Sequence, residues 1–281
     1  MKKPFIFSAE VKKAGKTIKA LLELFIESIT NLVKRVNENN NHMLETDNNY
    51  IIQMYHVYKQ FGEKNVISDV SMNVTRNEFL FISGPSGAGK STMLKLLYAG
   101  ERLSKGQIIM DGLNLVRLNP RNIHRLRRRI GIIFQDFKLI RTRSVFDNVA
   151  LVLETQGFPR RMIERKVNTA LNRVAMSTFS NAFPPSLSGG EQQRVAVARA
   201  LAAEPSIIFA DEPTGSLDPD SAAIILALLD EFHHYGGTVL FATHDIALID
   251  NTSRRVVFLN DGSIHENGQP PFLSKKINQD A

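Results

Sequence analysis

The sequence predicts an α/β fold built on a mostly parallel sheet, and three short runs of buried type carry this prediction. Residues 79–82 are continuously apolar, and a glycine-rich turn and a helix-forming stretch at 93–97 follow them. Residues 207–210 and 238–243 form two further runs of this type, with a helical pattern between them. Strands that alternate with helices are typical of a parallel sheet with helices on its faces. Ligands are then expected at the carboxyl ends of the strands.

Further elements are predicted in order along the chain. Strand-like segments near 50–58 and 66–74 precede the first run, a mixed region extends to about 143, and a helical segment continues toward 187. A turn signal at 260–263, between apolar residues 256–259 and Ile264, predicts a closing hairpin. We expect an extension with a linker at 1–48, a globular domain at 49–268 and a polar tail at 269–281.

Residues 84–91 match the pattern G-x-x-x-x-G-K-[ST] between a predicted strand and a predicted helix. Such a loop turns backbone N–H groups toward phosphates, while Lys90 can reach the β- and γ-phosphates and Ser91 can offer a hydroxyl to Mg²⁺. The flanking elements disfavour a chance glycine turn. The candidate nucleotide-binding residues here are Gly84, Pro85, Ser86, Gly87, Ala88, Gly89, Lys90, Ser91 and Thr92.

Two predicted strands end in polar side chains that suit hydrolysis. Asp211 ends the strand at 207–210 and is a candidate to hold Mg²⁺ opposite Ser91, and Glu212 follows it as a candidate base for the attacking water. The strand at 238–243 delivers His244 to the same edge. A lone histidine is more often a structural residue, so its catalytic assignment depends on the other motifs.

Residues 187–194, with the sequence LSGGEQQR, resemble the signature of ATP-binding cassette (ABC) ATPases. Physically this segment suits a second phosphate site, because Ser188 supplies a hydroxyl and Gly189 and Gly190 expose N–H groups where a helix begins. The resemblance implies an ABC-type nucleotide-binding fold with a mixed, mostly parallel sheet and a helical subdomain. It also implies a head-to-tail homodimer in which Ser188 and Gly190 of one subunit contact the ATP held by the other.

The same resemblance implies roles for three further residues. Asp218 matches a loop that crosses the dimer interface, and Gln135 matches the glutamine that contacts Mg²⁺ and water and signals to a membrane partner. The family usually stacks a tyrosine on adenine, and in this sequence Phe61 aligns with that position. Because Tyr58 lies nearby, the assignment stays open between these two residues. Lys90, Gln135, Glu212 and His244 are thus the catalytic candidates, and Ser91, Gln135 and Asp211 are the metal candidates.

Residues 50 to 268 carry the resemblance, and the stretches at 132–139 and 144–150 are most similar to the FtsE-type cell-division ATP-binding proteins. This implies an ATPase that drives an FtsX-like integral-membrane subunit and controls cell-wall hydrolysis. The ATPase of a lipoprotein-release or small-molecule export transporter is the alternative. A nucleic-acid clamp is disfavoured, because only 98 positions separate Lys90 from Ser188 and leave no room for a long coiled coil.

The N-terminal extension carries most of the positive charge. Eight basic and three acidic side chains in residues 1–36 give +5 of the formal +7. On a helix, an apolar arc of about 120° lies opposite Lys12, Lys13, Lys16 and Lys19. The arc is formed by Val11, Ala14, Ile18, Leu21, Leu22, Phe25, Ile29, Leu32, Val33 and Val36. This predicts an amphipathic helix that either packs on the globular domain or a second copy, or binds an anionic membrane surface or a membrane partner.

Composition excludes some classes of site and of location. The chain has no cysteine, so disulfides and thiolate-bound metals are excluded. It has no run of 18 apolar residues and no secretory signal pattern, so we expect a cytoplasmic protein, peripheral at the inner face of the membrane. A cluster of arginines at 121, 125, 127–129, 141 and 143 is expected to be a solvated face, with a membrane-facing surface as the alternative.

Overall fold

The computed structural model of this 281-residue chain describes residues 49–250 and 252–266. The predicted amphipathic helix at 11–36, its linker and the predicted tail at 269–281 lie outside the described residues. Ten strands are described: β1 Tyr50–Phe61, β2 Lys64–Thr75, β3 Phe79–Ser83, β4 Lys105–Met110, β5 Leu113–Asn114, β6 Ile130–Ile133, β7 Ile207–Asp211, β8 Thr238–Thr243, β9 Val256–Asn260 and β10 Ser263–Glu266.

Seven α-helices connect these strands within the described residues. They are α1 Lys90–Leu97, α2 Ile123–Arg127, α3 Val145–Thr155, α4 Arg160–Arg173, α5 Gly189–Leu201, α6 Pro219–His234 and α7 Ile246–Asp250. Side-chain caps fix the starts of three of them: Ser144 caps α3, Ser188 caps α5 and Asp218 caps α6. Short 3₁₀ turns at Pro120–Asn122, Ser177–Phe179 and Pro184–Ser186 complete the connections.

A six-stranded sheet in the order β10-β9-β3-β8-β7-β6 forms the centre of the fold. Its β9, β3, β8, β7 and β6 pair in parallel, and β10 adds to β9 as an antiparallel hairpin. Every residue of β3 and β8 is buried, as expected for strands covered on both faces. The predicted mostly parallel sheet and the predicted closing hairpin are therefore confirmed.

A second, antiparallel sheet has the strand order β2-β1-β4-β5. Along the chain, β1 and β2 precede β3 and the glycine-rich loop at 84–91 (the P-loop), whereas β4 and β5 follow α1. The sequence predicted the β1 and β2 segments but not their pairing with β4, which begins more than forty residues after β1 ends. Register shifts interrupt both pairings of β1, and such irregularities bend and twist a strand. The mixed region of the sequence therefore contributes β4 and β5 to this sheet and β6 to the central one.

Two hydrophobic cores cover the two faces of the central sheet. Alternate residues of β3 divide between them: Phe79 and Phe81 belong to one core, and Leu80 and Ile82 belong to the other. The first core contains the apolar sides of α3, α4, α5 and α6, whereas the second contains α1 and the antiparallel sheet. This division places the P-loop helix and the signature helix on opposite faces of the sheet.

All seven side chains of the arginine cluster are exposed in this single chain, which fits both a solvated face and a surface that faces a membrane or a membrane partner. Two of them also hold local structure: Arg127 donates to the carbonyl oxygen of Ala99 at 3.0 Å, and Arg129 pairs with Asp111.

Within the described residues, no helix combines the length and the apolar character that crossing a bilayer requires.

Asp111 forms ion pairs with arginines from two other segments of the chain. It lies in the β4–β5 turn, accepts a hydrogen bond from Arg76 Nη2 at 2.6 Å and pairs with Arg129. Burial raises the pKa of this carboxyl, but the two guanidinium groups outweigh it and the net pKa lies below the usual value. Because the pKa of this carboxyl is lower in the folded chain than in the unfolded one, its ion pairs stabilise the fold fully at pH values above the pKa it has in the unfolded chain. This contribution is lost as the pH falls through its pKa in the folded chain.

We expect Asp111→Asn to lower the free energy of unfolding by about 1–2 kcal/mol at neutral pH, since both arginines are nearly half exposed. Asp261→Asn is the matched control, because Asp261 also has a left-handed φ before a glycine in a hairpin turn. Urea unfolding at several pH values measures the effect. The difference between parent and Asp111→Asn should vanish at strongly acidic pH, and a difference that persists there would contradict the ion-pair explanation.

Candidate nucleotide-hydrolysis site

The P-loop leads into the N-terminus of α1. Gly89 precedes this helix with a φ of 107°, and a Cβ at Gly89 would lie 2.9 Å from the carbonyl oxygen of Val66. Among the described residues, none caps α1 through its side chain, and the first turn of α1 has no acidic residue. The first N–H groups of the helix therefore remain for an anion, and the helix dipole favours negative charge there.

Lys90 is held at the mouth of this loop. Its Nζ donates to the carbonyl oxygen of Gly84 at 2.7 Å and to that of Pro85 at 3.3 Å, and it lies 3.2 Å from Glu212 Oε1. Both side chains of this ion pair are about nine-tenths buried. The structure therefore brings the predicted phosphate-binding ammonium and the predicted base into direct contact.

Ser91 and Asp211 form the candidate metal site. The Ser91 hydroxyl donates to Asp211 Oδ1 at 2.9 Å. Burial raises the pKa of Asp211, as does the neighbouring Glu212 carboxylate, while the Ser91 hydrogen bond and Lys90 act in the opposite direction. Hard oxygen donors of this kind, one hydroxyl and one carboxylate, suit Mg²⁺, which usually takes one or two carboxylates together with substrate phosphates. The donor set thus fits the expected metal.

Glu212 and His244 are joined by the register of two neighbouring strands. Asp211, which ends β7, pairs with Ala242 of β8, so Glu212 and His244 follow at the same edge. His244 Nδ1 lies 2.8 Å from Glu212 Oε2, and the His244 backbone N–H donates to the same oxygen at 3.3 Å. Glu212 has a left-handed φ of 48°, an uncommon conformation for a side chain of this size. His244 is therefore a direct partner of the candidate base.

Gln135 lies at the same edge of the sheet by topology. It follows β6 by two residues, and Ile133 of β6 pairs with Ala210 of β7. The Gln135 side chain is exposed. In the part of the chain that the structure describes, no hydrogen bond joins it to Ser91 or Asp211, so its contact with the metal stays a prediction.

The signature lies apart from the P-loop within one chain. Ser188 caps α5 in a capping box with Glu191: its Oγ accepts from the Glu191 N–H at 3.3 Å, and its own N–H donates to Glu191 Oε2 at 2.8 Å. Gly190 packs against α6 so closely that a Cβ there would lie 2.3 Å from Ser221 Oγ. Because α5 and α1 cover opposite faces of the sheet, Ser188 and Lys90 do not form one site in this chain.

Asp218 has a local role that the sequence did not reveal. Its carboxylate caps α6 by accepting the Ser221 N–H at 2.9 Å, and this backbone hydrogen bond is the main reason that its pKa lies below the usual value. Capping alone accounts for an aspartate at this position. Its predicted place in a dimer interface stays a prediction.

The two aromatic candidates for adenine stacking differ in their contacts. Phe61 ends β1 with 45% of its surface exposed, and the Lys59 ammonium lies 4.3 Å from its ring centroid. Tyr58 is half-buried in the same strand, and Lys105 lies 5.3 Å from its ring centroid. The exposed ring at the strand end favours Phe61.

Sequence reasoning missed two polar residues on α5 that contact the site backbone. Gln193 is fully buried and donates to the carbonyl oxygen of Pro213, while Arg199 donates to the carbonyl oxygens of Phe137 and Lys138. The sequence signal for Gln193 was its position two residues before the apolar run 195–198 of a predicted helix, which suggests a polar side chain on a buried face. A buried amide needs partners, and here the partners are backbone atoms.

Comparisons with known proteins agree with these motifs. Residues 67–215 match the ABC transporter family. The cell division ATP-binding protein FtsE of Escherichia coli (strain K12) is 45% identical over 76% of this chain and 97% of that relative. FtsE of Mycobacterium tuberculosis (strain H37Rv) is 41% identical over 76% of this chain and 94% of that relative.

Solved structures show the same fold. The dimeric structure of the ATP-binding cassette MJ0796, in a post-hydrolysis state bound to ADP and Pi, has a TM-score of 0.70 at 33% identity and covers 78% of this chain and 100% of that one. CbiO1 from Clostridium perfringens, part of an ABC transporter complex, has a TM-score of 0.71 at 29% identity, with 83% and 94% covered. The chain therefore belongs to the ABC transporter family as an ATP-hydrolysing cassette, and it resembles the FtsE proteins within that family.

Proposed function

We propose that two copies of this chain bind ATP head to tail and drive an FtsX-like integral-membrane subunit that regulates cell-wall hydrolases during cell division. The observation that carries the dimer is the separation of the two phosphate-binding elements on opposite faces of one sheet. A second copy, turned around, can bring its Ser188 and Gly190 to the P-loop of the first. The dimeric cassette structures of MJ0796 support the formation of a dimer, and the FtsE names of the relatives support the cellular process.

In each composite site the α1 N-terminus and Lys90 bind the triphosphate. Ser91 and Asp211, with Gln135, would hold Mg²⁺, which neutralises charge on the β- and γ-phosphates when bound. Glu212 accepts a proton from water as the water oxygen attacks the γ-phosphorus and the bond to the β-phosphate oxygen breaks, giving ADP and phosphate. His244 orients the Glu212 carboxylate, and Phe61 stacks on adenine.

The proposed location is the cytoplasm, peripheral at the inner face of the membrane. The basic residues Lys12, Lys13, Lys16 and Lys19 support an additional attraction to anionic lipid heads, at about 1 kcal/mol or less for each charge, and salt weakens it. This attraction would assist the membrane subunit without replacing it.

Affinity purification from detergent-solubilised membranes of the native host tests the partner. We expect the tagged full-length chain, held with ATP as the Glu212→Gln variant, to retain an FtsX-like membrane protein that the untagged chain does not. The interaction should be direct, so the purified pair should re-form in detergent. Retention of a lipoprotein-release or export permease would establish the alternative transporter function, and retention of no membrane protein would contradict the proposal.

A further inference from the structure

The loop after Gln135 is held in an uncommon conformation. Phe137 and Lys138 are consecutive non-glycine residues with left-handed φ values of 57° and 49°. Such residues cost free energy and persist only where the surroundings hold them. Here the holding contacts come from α5: Arg199 Nη2 donates to the Phe137 carbonyl oxygen at 2.8 Å, and Arg199 Nη1 donates to that of Lys138 at 2.7 Å.

The backbone after Glu212 is held by the same helix. Gln193 Nε2 donates to the carbonyl oxygen of Pro213 at 2.8 Å and lies 3.5 Å from that of Phe134. Pro213 follows Glu212 directly, and Phe134 precedes Gln135 directly. Glu212 itself has a left-handed φ, a costly conformation that persists only where neighbouring groups hold the backbone in place, as Gln193 does at the peptide after it. The amide of Gln193 therefore lies between the two segments that carry the candidate base and the candidate water-contacting glutamine.

Both donors lie on α5, the helix that Ser188 caps. We propose that Gln193 and Arg199 are positioning residues through which α5 sets the placement of Glu212 and Gln135. Neither side chain needs to touch ATP for this role, because both act on backbone carbonyls that flank the reacting side chains. The inference rests on the proposed catalytic roles of Glu212 and Gln135 and extends them to a helix whose first residues are the signature.

The amide of Gln193 is fully buried, so its replacement affects both stability and the placement of the Pro213 peptide. Within the described residues its Oε1 has no hydrogen-bond partner, so replacement by methionine removes a buried unpaired acceptor as well as a donor. Methionine also leaves the Pro213 carbonyl oxygen without its hydrogen bond, so some stability should be lost together with the anchor of that peptide. Misplacement of a reacting group by about an ångström can lower turnover about a hundredfold.

Steady-state ATP hydrolysis by the full-length chain tests the proposal. We expect Gln193→Met to lower kcat about tenfold to a hundredfold with KM for ATP changed less than about threefold, because the P-loop contacts remain. Arg199→Met should lower kcat in the same way, and Arg199→Lys, which keeps the charge and a donor, should recover part of the loss. Unchanged kcat in both methionine variants, or a change in KM alone, would overturn the proposal.

Thr238→Val is the matched control. Thr238 is as buried as Gln193, and its hydroxyl accepts the Asn77 N–H at 3.0 Å at the start of β8, the opposite end of the strand from the site. This change should lower thermal stability and leave kcat nearly unchanged. A kcat loss in Gln193→Met no larger than that in Thr238→Val would show a structural effect only.

A double variant separates this inference from the proposed catalytic roles. If Gln193 acts through Glu212, then adding Gln193→Met to Glu212→Gln should cause little further loss of hydrolysis. Full additivity of the two losses would overturn the positioning role while leaving Glu212 as the base. If Glu212→Gln alone hydrolyses ATP like the parent, the assignment of the base fails independently of Gln193.

Discussion

Replacing Glu212 by glutamine should abolish most ATP hydrolysis and leave ATP binding intact. The amide keeps the shape of the carboxylate and a partner for Lys90 or His244, but it cannot accept the proton of the attacking water. We expect turnover to fall about a hundredfold to a thousandfold. Phosphate release measures the rate, a fluorescent ATP analogue measures binding, and gel filtration should show the variant accumulating as an ATP-bound dimer.

Glu231→Gln controls for the loss of one negative charge. Glu231 lies on α6 and pairs with Arg173 at 2.9 Å on the surface, so its replacement should leave hydrolysis unchanged. If Glu212→Gln hydrolyses ATP at the parent rate, Glu212 is not the base, and Asp211 with His244 must be reconsidered. A loss of ATP binding in this variant would instead assign Glu212 to the phosphate site.

Damage to either phosphate-binding element should prevent the closed dimer. Lys90→Ala removes a buried ammonium that contacts the loop and Glu212, and ATP binding should weaken roughly tenfold to a hundredfold with that charged donor. Ser188→Arg places a long cation where the capping box now lies, so the signature should no longer meet the partner's phosphate. Each variant alone should stay monomeric with ATP on gel filtration.

The arrangement of the P-loop site could be predicted because each motif ends a strand of buried type. Asp211 ends β7, and Glu212 and His244 follow the adjacent parallel strands β7 and β8, whose carboxyl ends lie at one edge of the sheet. The glycine pattern and Lys90 specify the loop that leads into α1. Pattern and period were sufficient here, since the relevant contacts are set by sheet register.

Other features were beyond the sequence for physical reasons. The pairing of β1 with β4 joins distant segments, and short apolar runs do not specify their partners. Gln193 and Arg199 bind backbone carbonyls, which every residue carries, so no residue type at the acceptor marks the contact. Glu212 has its left-handed φ directly after β7, and this conformation is uncommon for glutamate, so propensity argued against it.

The formation of a mixed dimer tests the composite site most directly. A chain with Lys90→Ala keeps its signature, and a chain with Ser188→Arg keeps its P-loop, so one site of a mixed dimer contains both intact elements. With the two chains carrying different tags, the account predicts that ATP and Mg²⁺ yield a closed heterodimer containing one nucleotide, while neither variant closes alone. Absence of the heterodimer, or closure of either variant by itself, would contradict a site shared between two chains.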